Sequence, residues 1–206
     1  MALSRTTKHL RLLVILVLVL EVAGIVLHFY QIDALGLIIK GEFVSSVYIN
    51  KISDWSYWQF VAHLALYSFA GLFFLRWTYT SQIGAVFSKS NTSKSLKEVL
   101  VLWFIPFFNL FRPLQHIRAF SLQQFQSTDI KAIKNYRSLI TIWWFLWLIS
   151  GPVGRYLAHL SFPNESVVAS YTYLIFYVFL EFLSIITAIL FLVILGRQLH
   201  FIRGNK

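Results

Sequence analysis

Along its length the chain alternates between long apolar stretches and shorter polar ones. Four stretches stand out, at about residues 10–30, 55–77, 138–160 and 171–195. A helix rises about 1.5 Å per residue and the hydrocarbon core of a bilayer is about 30 Å thick, so roughly 20 apolar residues suffice for one crossing. Each stretch reaches that length. The pattern predicts an all-α integral membrane protein, a four-span helical bundle forming one membrane domain over 1–206. A polar segment at 78–137 separates the second and third spans.

Composition agrees with lipid as the solvent. A soluble domain is about 45–50% apolar and about 25% charged; this chain is 58% apolar and 13% charged. It has no cysteine, which excludes disulfides, thiolate metal sites, iron–sulfur clusters and palmitoylation. Arg5, Lys8 and Arg11 precede the first apolar run as in a secretory signal, but the run continues past Ala23 and Gly24 to Tyr30. An uncleaved first span is expected.

Charge supplies the orientation. Fifteen of the eighteen lysines and arginines lie in the N-terminal tail, the central segment with its flanks, and the C-terminal tail; the remaining loops hold only Lys40, Lys51 and Arg155. Basic residues accumulate on the cytoplasmic side, so both termini and the central segment are expected there. The net charge of +10 is accounted for by anionic lipid headgroups, each juxtamembrane cation gaining about 1 kcal/mol. No nucleic-acid motif accompanies it. Aromatic residues make up 18% of the chain, and those at span ends, among them Tyr30, Trp55, Tyr57, Trp58, Trp77, Tyr136, Trp143 and Trp144, are expected to anchor at the headgroups.

Within the central segment, Val99 to Phe111 is apolar but only 13 residues long, too short to cross as a straight helix. Pro106 and Pro113 break helical geometry within eight residues. Leu114, Ile117 and Phe120 then recur every three residues amid polar neighbours, so residues 99–125 are expected to form a re-entrant or interfacial element. The run Trp103-Phe-Ile-Pro-Phe-Phe-Asn-Leu-Phe-Arg-Pro-Leu-Gln115, preceded by Leu75-Arg-Trp-Thr-Tyr79 and followed by Trp143-Trp-Phe-Leu-Trp-Leu-Ile-Ser150, resembles the bacterial membrane family called domain of unknown function 4328. The Pro, Asn, Arg-Pro and Trp-Trp spacings carry the likeness, which spans roughly Leu72 to Ser150. It implies a bacterial envelope protein with several spans, and it brings no catalytic residues with it. Trp103, Pro106, Asn109, Arg112 and Pro113 are the candidate cytoplasmic motif.

The other candidates are polar residues inside the apolar stretches. A charged side chain near the bilayer centre costs about 2.5–3.5 kcal/mol on insertion scales, yet Glu21 lies about 14 Å from Tyr30, His63 about 12 Å from Trp55 and Glu181 about 15 Å from Tyr171 along ideal helices. All three fall near midplane. Helical spacing groups Gly24 and His28 with Glu21, then Ser56, Gln59 and Tyr67 with His63, and Tyr177 and Ser184 with Glu181. One reading is a site for a proton or cation, with the carboxylates carrying charge and His63 relaying it. A divalent metal is chemically compatible with two carboxylates and an imidazole, although no local spacing demands it. The plainer reading is a set of hydrogen bonds that fixes helix register.

Gly151-Pro-Val-Gly154 is expected to kink the third span. Nucleotide-binding, zinc-protease and serine-hydrolase signatures are lacking, so no catalytic residue, metal set or cofactor is predicted. Asn164-Glu-Ser166 matches a glycosylation acceptor that a bacterium leaves unused. The leading functional expectation is a non-catalytic component that binds a protein partner, a second copy of itself or lipid through 99–125. The alternatives are a small transporter or channel subunit using the midplane residues, and a lipid-modifying enzyme. Reporter fusions after Lys206 and within 78–97 should both read cytoplasmic, and either one reading external would overturn the orientation.

Overall fold

The computed structural model describes residues 2–86, 114–115, 117–118, 130–154, 156 and 166–204. Among these all regular secondary structure is helical. Helix α1 spans Ala2–Ile39, α2 Ser46–Val86, α3 Ile130–Leu148 and α4 Val167–Gly204, with a π-helical turn at Ile149–Val153. Three of them are long and apolar enough to cross a membrane, over Arg5–Ile39, Ser46–Thr78 and Val167–Leu199. The stretch expected as the third span is divided instead. Helix α3 carries Lys131, Lys134 and Arg137 within its 19 residues, and it gives way where Gly151 leaves helical geometry at φ −94°, ψ −113°. Pro152 has no N–H to continue the ladder. A Cβ on Gly154 would lie 2.8 Å from Leu180 and would collide with the Ile149 carbonyl, so glycine lets this backbone press against α4.

Helix ends have local causes. At the end of α1, Gly41 adopts φ +77°, its N–H bonds the Ile38 carbonyl at 3.0 Å and the Glu42 N–H bonds the Leu37 carbonyl at 3.0 Å. That pair of bonds with a left-handed residue between them satisfies carbonyls the helix would leave bare. Ser45 precedes α2 and its carbonyl accepts from Tyr48 and Ile49. Ser166 caps α4 by accepting the Ala169 N–H on its hydroxyl at 3.1 Å.

The chain divides into two compact units. The first comprises Met1–Val14, Ser68–Trp144 and Leu190–Lys206. Its core is aromatic: Trp143 stacks on Phe191 with centroids 4.7 Å apart, Phe191 meets the edge of Trp77, and Phe74 contacts all three rings. Trp77, Tyr136, Trp143 and Trp144 are therefore buried, which corrects their expected role as headgroup anchors. The Trp-Trp doublet of the family resemblance is a packing element. Tyr136 directs its hydroxyl to the Ile194 carbonyl, and the Arg197 guanidinium lies 5.9 Å above its ring. Leu114 and Ile117 are helical and buried, and Arg118 donates to the Thr141 hydroxyl.

The second unit comprises Ile15–Tyr67 and Phe145–Ile189. Covered positions on α1 recur as Val17, Glu21, Gly24, His28, Gln31 and Ala34, in steps of three or four. Helix α2 repeats the pattern with Ile52, Ser56, Gln59 and His63, and α4 with Tyr177, Glu181 and Ser184. That spacing is the seam of helices packed at shallow angles, side chains of one set between those of the next. Near the α1–α2 turn the seam is apolar, with Leu27, Ala34 and Ile52 buried together against Val44 and Tyr48. Trp55, Tyr57 and Trp58 are exposed, as an anchoring role requires. Replacing Gly41 with alanine should cost about 1 kcal/mol in unfolding free energy measured in mixed detergent micelles, because Gly41 faces open space and only its left-handed backbone penalises a side chain.

Candidate functional site: a polar ladder across three helices

The polar residues on these seams meet. Glu21, from α1, is fully buried, and Glu181, from α4, is 2% exposed. Glu21 Oε1 accepts from the Tyr67 hydroxyl of α2 and from the Ser184 hydroxyl of α4, the latter at 3.0 Å. His63 Nε2 lies 3.9 Å from the same oxygen. One carboxylate oxygen thus gathers side chains from all three long helices. Glu181 Oε1 lies 3.3 Å from His28 Nε2 of α1. The Tyr177 ring meets the His28 ring edge-on at 5.5 Å.

The contacts descend in register. Glu21 meets Ser184 while His28 meets Glu181, and Gly36 faces Tyr171; numbers rise on α1 as they fall on α4, so these helices run antiparallel. Helix α2 is antiparallel to α1 by the same reading, since Glu21 meets Tyr67 and Gln31 meets Ser56. Gly24 sits between the two carboxylates. A Cβ there would strike the Gln59 amide and lie 2.9 Å from Glu181 Oε1. The missing side chain is what lets Gln59 and Glu181 approach α1 at one level.

Beyond His28 the ladder continues to residues that spacing from Glu21 did not single out. His28 Nδ1 lies 2.6 Å from Gln31 Oε1, Gln31 Nε2 donates to Ser56 Oγ at 2.8 Å, and the Ser56 hydroxyl donates to the Ile52 carbonyl at 2.7 Å. Gln31 was legible only as the next seam position after His28; reading the apolar run as ending at Tyr30 hid it. From Glu21 to Gln31 the ladder covers about 15 Å, half a hydrocarbon core.

Glu21, His63, Glu181, Gln59, Tyr67, Tyr177 and His28 therefore share one seam, but as two separate acid–imidazole pairs. His63 serves Glu21 and His28 serves Glu181. Among the described residues no three of His, Asp and Glu gather as a metal set would require. The second carboxylate oxygen, Oε2, of each glutamate is buried without a hydrogen-bond partner among the described residues. An ionised carboxylate offers about four acceptor positions, so each glutamate keeps capacity for a further proton or cation. The candidate motif residues Trp103, Pro106, Asn109, Arg112 and Pro113 lie outside the described residues.

The sequence pattern defining the domain of unknown function DUF4328 matches residues 46–198. The chain belongs to that family. No curated protein and no solved structure matches it. The DUF4328 region includes Gln59, His63, Tyr67, Tyr177, Glu181 and Ser184, whereas Glu21, His28 and Gln31 on α1 precede it. Half of each acid–imidazole pair is thus supplied from outside the matched region.

Because Tyr67 and Ser184 donate to one oxygen, their losses should not add. Tyr67→Phe should cost about 1–3 kcal/mol and Ser184→Ala about 1 kcal/mol, with a coupling of at least about 0.5 kcal/mol in the double-mutant cycle. Strict additivity in mixed-micelle unfolding would mean that the two hydroxyls do not share Glu21.

Proposed function

We propose that this DUF4328 protein is a multi-pass protein of the bacterial inner membrane, with both termini cytoplasmic, acting as a small transporter or channel subunit for protons or cations. The observation that carries the proposal is the pair of buried glutamates on α1 and α4, each facing a histidine of a neighbouring helix. Fixing the register of three helices needs hydrogen bonds, and uncharged side chains supply them at lower cost than carboxylates in lipid. Two carboxylates, each beside a group that exchanges protons near neutral pH, are what charge movement through an apolar medium requires. The skewed distribution of lysine and arginine supports the orientation. In this reading the stretch after Ser138 is a fourth span, broken at Gly151.

The mechanism follows from the ladder. A proton or cation entering from the α1–α2 turn meets the polar atoms of Ser56 and Gln31, then the His28–Glu181 pair, and then the Glu21 pair with His63, Tyr67 and Ser184. Glu21 and His28 lie about two helical turns apart on α1, and Gly24, between them, leaves the room in which Glu181 and Gln59 approach. The competing reading is binding of a partner or anionic lipid through 99–125, although Leu114, Ile117 and Arg118 of that segment are engaged within the protein itself.

Purified protein in proteoliposomes separates the two. Under an imposed proton or cation gradient the wild type should conduct, and Glu181→Gln and Glu21→Gln should each lower the flux by at least about tenfold, as expected when a proton-transferring group is lost. Absence of flux in the wild type for protons and for monovalent and divalent cations would leave partner or lipid binding as the function.

A further inference from the structure

The hydrogen bonds at the α1–α2 end of the ladder determine which nitrogen of His28 carries its proton. Ser56 has one hydroxyl proton, and it goes to the Ile52 carbonyl at 2.7 Å. Its oxygen is therefore an acceptor toward Gln31, so the amide that approaches it at 2.8 Å does so with its NH₂ group. The Gln31 carbonyl oxygen then points the other way, to His28 Nδ1 at 2.6 Å. An amide oxygen only accepts. Nδ1 must donate, and His28 carries a proton there whatever its charge.

The consequence falls on the other nitrogen. If His28 is neutral, its one N–H is on Nδ1 and Nε2 presents a lone pair to Glu181 Oε1, 3.3 Å away. A lone pair facing a carboxylate oxygen that also lacks a proton would be repulsive, and it would leave an uncompensated charge on a residue 2% exposed. The contact is favourable only with a second proton between the two atoms. Either imidazolium faces carboxylate or neutral imidazole accepts from the carboxylic acid, and both forms are neutral overall. The Tyr177 ring and Gln31 of its own helix also pack on His28, and neither brings a formal charge.

We propose that Gln31 and Ser56 are positioning residues that lock His28 in its Nδ1-protonated form, so that His28 and Glu181 together hold one transferable proton. The proton moves from Nε2 to Oε1 and back, imidazolium and carboxylate becoming imidazole and carboxylic acid with no change in net charge. This deepens the transport reading and rests on it only for the use made of the proton: the ion handled at this pair is a proton, and its reservoir is the Nε2–Oε1 contact.

Side-chain ¹⁵N magnetic resonance of histidine-labelled protein in lipid tests the lock without relying on transport. His28 is assigned by the signals lost in His28→Gln. The wild type should show His28 as the Nδ1–H tautomer or as imidazolium, and Gln31→Leu should lose that signature by admitting the Nε2–H tautomer. Gln31→Glu, whose carboxylate oxygens also accept from Nδ1, should restore it. A neutral Nε2–H tautomer in folded wild-type protein would overturn the proposal, and so would an unchanged His28 in a folded Gln31→Leu variant. Folding of each variant is checked by helical content and by the mixed-micelle transition. If the tautomer is as expected and the proteoliposomes show no flux, the transport reading fails while the lock stands.

Discussion

Burial of two carboxylates among apolar helices is the constraint to which the second unit is fitted. Each ionisable group costs about 2.5–3.5 kcal/mol near the centre of a bilayer even on lenient scales, and removing the partners of a buried charge costs as much again. The offset comes from helices that must stand in one register. Glu21 is served by Tyr67, Ser184 and His63, one oxygen drawing on α2 and α4 at once. Sliding any helix by one turn, about 5.4 Å, would part these atoms. Specificity of packing therefore resides in the polar contacts, while the apolar residues of the same seams would tolerate other registers.

Small residues make the approach possible. Gly24 leaves the space that Gln59 and Glu181 occupy, and Gly154 lets the turn after α3 rest against Leu180. In lipid, where apolar side chains gain little by leaving their solvent for one another, close backbone approach and hydrogen bonds are the main attractive terms between helices. The first unit reaches the same end by another route. Its aromatic rings around Phe191 replace the polar ladder with stacked and edge-on contacts, and the doublet Trp143–Trp144 belongs to that core.

The ladder has a direction because its donors do. From the Ile52 carbonyl through Ser56 and Gln31 to His28, each group's role as donor or acceptor is dictated by the one before it. A chain of this kind removes the freedom of an imidazole to choose its tautomer, which converts a local serine-to-backbone bond on α2 into control over a contact between α1 and α4. The two acid–imidazole pairs differ in this respect. Glu21 is held by hydroxyls, which rotate, whereas the His28–Glu181 pair is oriented by an amide, which does not.

Helical class, three of the four expected membrane-length helices and family membership were legible in the chain, since they follow from run length, apolar content and motif spacing, which are local properties. The same holds for the break at Gly151-Pro-Val-Gly154 and for the grouping of Gly24 and His28 with Glu21, each helix face being a matter of counting residues. Partnership was not local. That His63 serves Glu21 and His28 serves Glu181, that Trp77 and Trp143 lie in a core while Trp55 and Trp58 stay exposed, and that Gln31 joins the site were decided by how the helices pair. A helix's own sequence states which residues share a face, but which face meets which neighbour, and at what height, depends on side chains 25 to 163 positions away.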